Sequence, residues 1–150
     1  MQIPLQVGWF AGGLRIMAHF LIQCEHPHIF GSIRAIVDTG SPTTILGVMD
    51  LKRMRVSPIQ LKNLETKKGT MAIEGGNLKT KLVKNAKISF SDIFKSEVLD
   101  VCAPFDSDDG GFCQVTILGV DFMEKNNLKL FFDPRGKSAY FEKDDGGDKE

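Results

Sequence analysis

The sequence predicts a single, mostly β domain with one short helix near its end. The chain has 150 residues, close to the usual size of one domain. Hydrophobic residues make up 42% of it, which is enough for one core. Short apolar or alternating segments, rich in Val, Ile, Phe and Thr, are separated by Gly, Pro, Asn and Asp, a pattern typical of strands joined by turns.

The predicted elements follow from this pattern. Strands are predicted at Leu14–Ile22, Ile29–Val37, Thr70–Ile73, Leu78–Val83, Ala86–Phe90, Glu97–Val101, Val115–Leu118, Leu128–Phe132 and Ser138–Phe141. The helix is predicted over Gly119–Asn126, where Val120, Phe122 and Met123 would share a buried face. Val48–Met54 has a shorter helical pattern. The charged, glycine-containing tail, residues 142–150, is predicted to be disordered, which leaves residues 1–141 as the domain.

Composition also argues against several classes of partner. Nineteen basic residues balance nineteen acidic ones, so no basic surface for nucleic acid is predicted. No apolar run approaches the roughly 20 residues of a membrane helix, so no membrane partner is predicted. The first residues lack the basic leader of a signal peptide. Three cysteines at unrelated spacings favour free thiols in a reducing compartment, and a cytoplasmic location is predicted.

The segment RAIVDTGSPTTILG contains the first candidate for chemistry. An apolar run ends on Asp38, and Thr39 and Gly40 follow it. Gly40 permits a tight turn, and the hydroxyl of Ser41 could donate a hydrogen bond to a neighbouring carboxylate oxygen. Such a turn would hold a carboxylate at a fixed position. A hairpin turn without any chemistry would use the same residue types.

Two further segments lie downstream. Thr116-Ile117-Leu118-Gly119 leads from an apolar run into the predicted helix, which indicates a strand end that passes close to other backbone. Between this segment and Asp38, two short runs flank Glu74-Gly75-Gly76-Asn77, which is a hairpin signal. A hairpin with glycines at its tip could move as a lid.

These three segments, VDTGS, the glycine-containing hairpin and ILGVDFM, resemble those of the retropepsin-like aspartic proteases in order and spacing. The resemblance extends from about Leu14 to Phe141. It implies a small, closed, β-barrel-like protomer that is active only as a homodimer and acts on polypeptides. The sequence differs from the usual pattern in a longer stretch before the motif and in a charged residue, Glu74, near the hairpin tip.

The resemblance also implies roles for individual residues. Asp38 would be the catalytic aspartate, Thr39 would reach the partner's backbone, and Gly40 would complete the turn. The glycine-containing hairpin would be the flap that covers the substrate. Substrate would be contacted by Ser41, beside the carboxylate, and by the flap residues Ile73, Glu74, Gly75 and Gly76. Ile117, Leu118 and Gly119 would brace the catalytic loop.

The chemistry supports a two-chain site. One aspartate cannot act as general acid and general base in the same step, whereas two that share a proton can. The aspartic proteases are the standard case. Because the chain contains a single Asp-Thr-Gly, the second carboxylate must come from another chain. The predicted function is therefore an aspartic endopeptidase in which two Asp38 carboxylates activate water, without a cofactor.

Two alternatives come from other classes of function. A catalytically inactive domain of the same fold could bind peptides or mediate dimerisation, since a fold does not determine a function. The intact Asp-Thr-Gly argues against this alternative. Cys24, His26 and His28 alternate along one segment and could bind a metal ion, but no fourth ligand is evident, so no metal site is predicted.

Overall fold

The computed structural model describes residues 1–10, 12–67, 80–96, 98–104 and 114–144. Ten strands account for most of them: β1 (Gln2–Phe10), β2 (Gly13–Cys24), β3 (Ile29–Val37), β4 (Thr66–Lys67), β5 (Thr80–Phe90), β6 (Phe94–Lys95), β7 (Leu99–Pro104), β8 (Ile117–Leu118), β9 (Leu128–Asp133) and β10 (Ser138–Lys143). Three short helices accompany them: α1 (Val48–Arg53), α2 (Pro58–Leu61) and α3 (Val120–Lys125). The mostly β prediction is confirmed.

All ten strands belong to one curled sheet with β2 at its centre. The first half of β2 pairs with β1, and its second half pairs with β5. β3 pairs with the residues of β2 from Met17 to Cys24. Beyond β1 the sheet continues through β10 to β9. These pairings are antiparallel, whereas β3 and the short β8 run parallel. Parallel neighbours point the same way, so β3 and β8 end side by side.

The core lies inside the curl of the sheet. Buried and exposed residues alternate along β3, as expected for a strand with one buried face. Four aromatic rings meet in the centre, with centroid distances of 5.6 to 6.4 Å: Phe20, Phe90, Phe122 and Phe141. They come from β2, β5, α3 and β10, so the core joins elements that are far apart in sequence.

The helix prediction needs a correction. The helix near the end forms as α3, with Gly119 and Asn126 as its caps and Phe122 fully buried, but Val120 is 38% exposed. The shorter helical pattern of Val48–Met54 forms α1, within one residue of its predicted end, whereas α2 was not predicted. In α1, Asp50 in the first turn and Arg53 in the last complement the helix dipole. In α2, Pro58 follows the capping residue Ser57. A helix of four residues such as α2 has too few positions to show a periodic apolar pattern.

Two strand predictions also change. The N-terminal segment forms β1, which had not been predicted as a strand. Leu78–Val83 and Ala86–Phe90 had been predicted as separate strands, but Thr80–Phe90 is continuous. Asn85 takes a positive φ of 61° there, and the pairing with β7 shifts register between Val83 and Ala86. A β-bulge therefore takes the place of the predicted turn. Thr70–Ile73 lies outside the described residues, as do residues 145–150 of the predicted tail.

The pattern of helices gives one further observation. None of the helices in the described parts of the chain has the length and apolar composition that crossing a membrane requires.

Candidate active site

Asp38 stands at the end of β3, where the chain leaves the sheet. Ile36 pairs with Ile117 and Val37 with Leu118 in the parallel β3–β8 ladder. The backbone N–H of Asp38 then donates to the carbonyl of Leu118, at 3.1 Å. The position of this aspartate is thus determined by a strand that lies about 80 residues further along the chain.

Backbone N–H groups in the turn hold Asp38 in place. The N–H of Gly40 donates to Oδ1 of Asp38 at 2.8 Å, and the N–H of Ser41 donates to the Asp38 carbonyl at 3.1 Å. The Asp38 side chain is partly exposed, and Thr39 and Gly40 are exposed. The turn therefore presents one carboxylate at a fixed place, in contact with solvent.

The Ser41 hydroxyl makes a different hydrogen bond from the one predicted. Its hydroxyl donates to the carbonyl oxygen of Thr43 at 2.7 Å, so the predicted hydrogen bond to the Asp38 carboxylate is not made in this structure. The carbonyl of Ser41 accepts from the N–H of Val120 at 2.9 Å. Ser41 thus connects the loop to α3. The sequence could not decide between the two acceptors because both lie within two or three residues of Ser41.

Gly119 lies in close contact with the backbone of the loop that follows Asp38. A Cβ atom at this position would lie 2.5 Å from the carbonyl oxygen of Thr43 and 2.8 Å from that of Ser41. Real Cβ atoms do not approach backbone so closely. Glycine is required here by space, not by a positive φ, because its φ of −94° is ordinary. The predicted close approach of backbone is confirmed.

Thr44 and Asp121 connect the same two segments through side chains. Thr44 is buried, and its hydroxyl donates to Oδ1 of Asp121 at 2.7 Å while accepting from the N–H of Gly119 at 3.0 Å. The backbone N–H of Thr44 donates to the other carboxylate oxygen of Asp121 at 2.9 Å. This set of contacts was not predicted. The only sequence signal is an Asp in the first turn of a helix, which is common for dipole reasons alone.

A second set of hydrogen bonds has the same form, but here the threonine lies just before β8 and the aspartate lies in α1. The N–H of Gly47 donates to the hydroxyl of Thr116 at 2.9 Å, and that hydroxyl donates to Asp50 at 2.7 Å. Gly47 precedes α1 as Gly119 precedes α3, and a Cβ on Gly47 would also meet backbone, at 2.5 Å from the carbonyl of Gln114. Two reciprocal Thr–Asp contacts therefore fix the chain segment after Asp38 to the segment that contains β8 and α3.

Replacing Thr44 by Val tests this connection. The change keeps the shape but leaves the Gly119 N–H without its acceptor and removes one of two hydrogen bonds to Oδ1 of Asp121, which still accepts from the N–H of Phe122. Burial of unpaired polar groups costs about 1–3 kcal/mol, so we expect the free energy of unfolding to fall by that amount in urea titrations. Thr66→Val, at a partly solvated β4 contact with Lys81, is the matched control and should change stability by less than about 0.5 kcal/mol. Equal effects of the two changes would contradict the assignment.

The remaining predicted residues divide into two groups. The flap residues Ile73, Glu74, Gly75 and Gly76 lie outside the described residues. The alternative metal ligands are not brought together: Cys24 is buried, His26 and His28 are exposed, and the described part of the chain contains no group of three metal-binding side chains. Burial raises the pKa of the Cys24 thiol to about 11, which keeps it protonated near neutral pH.

Comparison with known proteins shows which fold the chain has. No family model and no curated protein matches the sequence. Among solved structures, the chain is similar to a retropepsin-like aspartic protease from Rickettsia conorii, with a TM-score of 0.57 and 14% identity over 94% of this chain and 89% of that one. It is also similar to EIAV protease complexed with the inhibitor HBY-793, with a TM-score of 0.51 and 19% identity over 83% of this chain and all of that one. The chain has the retropepsin-like fold.

Proposed function

We propose that the protein is an aspartic endopeptidase whose active site contains two Asp38 carboxylates, one from each chain of a homodimer. The observation that carries the proposal is the Asp-Thr-Gly turn itself. It holds a partly exposed carboxylate at the end of β3, and the Gly119–Thr44 hydrogen bond fixes the loop that follows Asp38. A domain that only bound peptides would not need an ionisable group there.

The chemistry follows from two such carboxylates that share one proton. Like charges in close contact raise the pKa of one member and lower that of the other, so the pair carries a single negative charge over a range of pH. The ionised Asp38 takes a proton from a water molecule as that water attacks the peptide carbonyl. The protonated Asp38 donates its proton to the developing oxyanion. Transfer of a proton to the leaving nitrogen then breaks the C–N bond.

Thr39, Ser41 and the flap residues complete the proposal. Thr39 is exposed next to Asp38 and would bond to the partner chain at the two-fold axis. Ser41 and the hairpin of Ile73, Glu74, Gly75 and Gly76 would contact the extended substrate. The buried Cys24 is a free thiol, which supports a reducing compartment such as the cytoplasm.

A dilution series tests the dimer. If each active site needs two chains, specific activity should fall on dilution with a midpoint at the dimer dissociation constant measured by analytical ultracentrifugation. A tenfold excess of Asp38→Asn chains should suppress wild-type activity, because almost every wild-type chain then pairs with an inactive one. Activity that stays proportional to concentration well below association would refute the two-chain site.

The alternative, an inactive peptide-binding or dimerisation module of the same fold, makes a different prediction. The dimer would still form, but no cleavage of an unfolded protein substrate would be detected at any pH. A transition-state analogue of peptide hydrolysis would then bind no more tightly than the uncleaved peptide from which it is derived.

A further inference from the structure

A groove lies beside β1 and away from the Asp-Thr-Gly turn. Its volume is about 710 Å³, and the whole segment from Leu5 to Phe10 forms one wall. Met49 of α1 and Val115, just before β8, also line it. Neither Asp38, Thr39 nor Gly40 lines it. The groove is therefore a separate feature from the proposed catalytic centre.

The strand pairing shows which edge of β1 has unpaired backbone groups next to this groove. Residues Gln2 to Leu5 pair with β10, whereas residues Gln6 to Phe10 pair with β2 on the other side. Pro4 has no N–H, so the bonded positions toward β10 are its neighbours Ile3 and Leu5. Because backbone direction alternates with a period of two, Val7 and Trp9 direct their N–H and C=O groups to the same side as Leu5.

No described strand pairs with that side of β1 beyond Leu5. β10 begins at Ser138, so its ladder with β1 stops at the Leu5–Ala139 pair. The backbone groups of Val7 and Trp9 thus form a short open edge along the groove. Open edges of this kind accept an additional strand, and proteins use them to bind extended peptides.

The side chains around the edge indicate the chemistry of the occupant. Three large apolar side chains in the lining remain exposed to solvent: Trp9 at 77%, Met49 at 60% and Phe10 at 39%. Among the described residues, two cations, Arg34 and Lys137, line the groove with one carboxylate, that of Asp50. Asp50 is already paired with Arg53 at 2.8 Å, so the described lining has an excess of positive charge.

We propose that this groove binds an extended peptide segment with apolar residues and a carboxylate, which pairs with Val7 and Trp9 as an added strand. The apolar walls cover alternate side chains, and Lys137 and Arg34 attract the acidic group. The site acts as a peptide-docking surface whether or not the protein cleaves what it binds, so the Asp38→Asn chain should have it too.

The test uses the single tryptophan of the chain as the probe. The Asp38→Asn protein is titrated with the acetylated and amidated peptide Glu-Val-Thr-Val-Thr-Val-Glu, and Trp9 emission should shift to shorter wavelength on binding. The same peptide N-methylated at every Val and Thr keeps its side chains but loses its strand-pairing donors. Its dissociation constant should be at least about tenfold larger.

Charge is tested by a matched pair of substitutions. Lys137 has a positive φ of 54°, a conformation that Asn tolerates, so Lys137→Asn should fold normally. It should weaken peptide binding roughly two- to fivefold at low ionic strength. Lys129→Asn removes a lysine outside the groove, paired with Asp144 at 3.8 Å, and should have no effect on binding.

Three results would overturn the proposal. The first is an unchanged Trp9 spectrum at millimolar peptide. The second is equal binding of the methylated and unmethylated peptides, which would mean apolar adhesion without strand pairing. The third is a Trp9 shift that appears without peptide and disappears on dilution, which would mean that a second copy of the chain occupies the groove. Because every measurement uses Asp38→Asn chains, failure here is separate from failure of the proposed protease activity.

Discussion

Asp38→Asn is expected to abolish peptide hydrolysis and to leave the fold intact. Asparagine keeps the side-chain oxygen that accepts from the Gly40 N–H, so the turn should persist. It cannot take a proton from water, and neither carboxylate of the shared pair would remain. General acid–base groups contribute typically 10²–10⁴-fold to rate, so cleavage of an unfolded protein substrate should drop by at least about that factor.

Asp133→Asn is the matched control for this prediction. Asp133 accepts from the backbone N–H of Gly136 at 3.0 Å in the β9–β10 turn, a local contact similar to that of Asp38 with Gly40. Its substitution should leave cleavage unchanged. Circular dichroism and sedimentation should show the same fold and association for both variants. Near-wild-type cleavage by Asp38→Asn, in a preparation free of contaminating protease, would refute the proposed mechanism.

Among substitutions of the described glycines by alanine, Gly119→Ala and Gly47→Ala are expected to lower stability most. The new Cβ would lie 2.5 Å from the Thr43 carbonyl oxygen and 2.6 Å from its carbon. Both are backbone atoms that cannot rotate away. Overpacking typically costs about 1–3 kcal/mol, and the free energy of unfolding measured in urea should fall by at least that much.

The same substitution should also affect activity, because the displaced Thr43 belongs to the loop that carries Asp38. Gly8→Ala provides the control: nothing lies within 4 Å of a Cβ built on Gly8. Replacing a strand glycine removes its excess backbone entropy in the unfolded chain, so Gly8→Ala should be neutral or stabilise by roughly 0.5–1 kcal/mol. Equal stability of the two variants would show that the loop is not held against Gly119.

Several features of the fold could be predicted from the sequence, because they depend on local pattern. A strand was predicted at Ile29–Val37, and β3 has those bounds. The Gly119–Asn126 helix was also predicted within one residue at each end. In contrast, β1 was not predicted as a strand, and the bulge at Asn85 was taken for a turn. Both depend on partner strands, since pairing partners determine which extended segments join a sheet and where they slip.

The residue types of the candidate site could be predicted from the sequence, namely a carboxylate on a glycine turn and a glycine after an apolar pair. Their shared place in space was decided by the parallel β3–β8 pairing, which brings the Leu118 carbonyl to the Asp38 N–H. Tertiary structure also decided three side-chain hydrogen bonds: Thr44 to Asp121, Thr116 to Asp50, and the Ser41 hydroxyl to the Thr43 carbonyl. A hydroxyl has several acceptors within reach of its own segment, and only packing against a distant segment selects one of them.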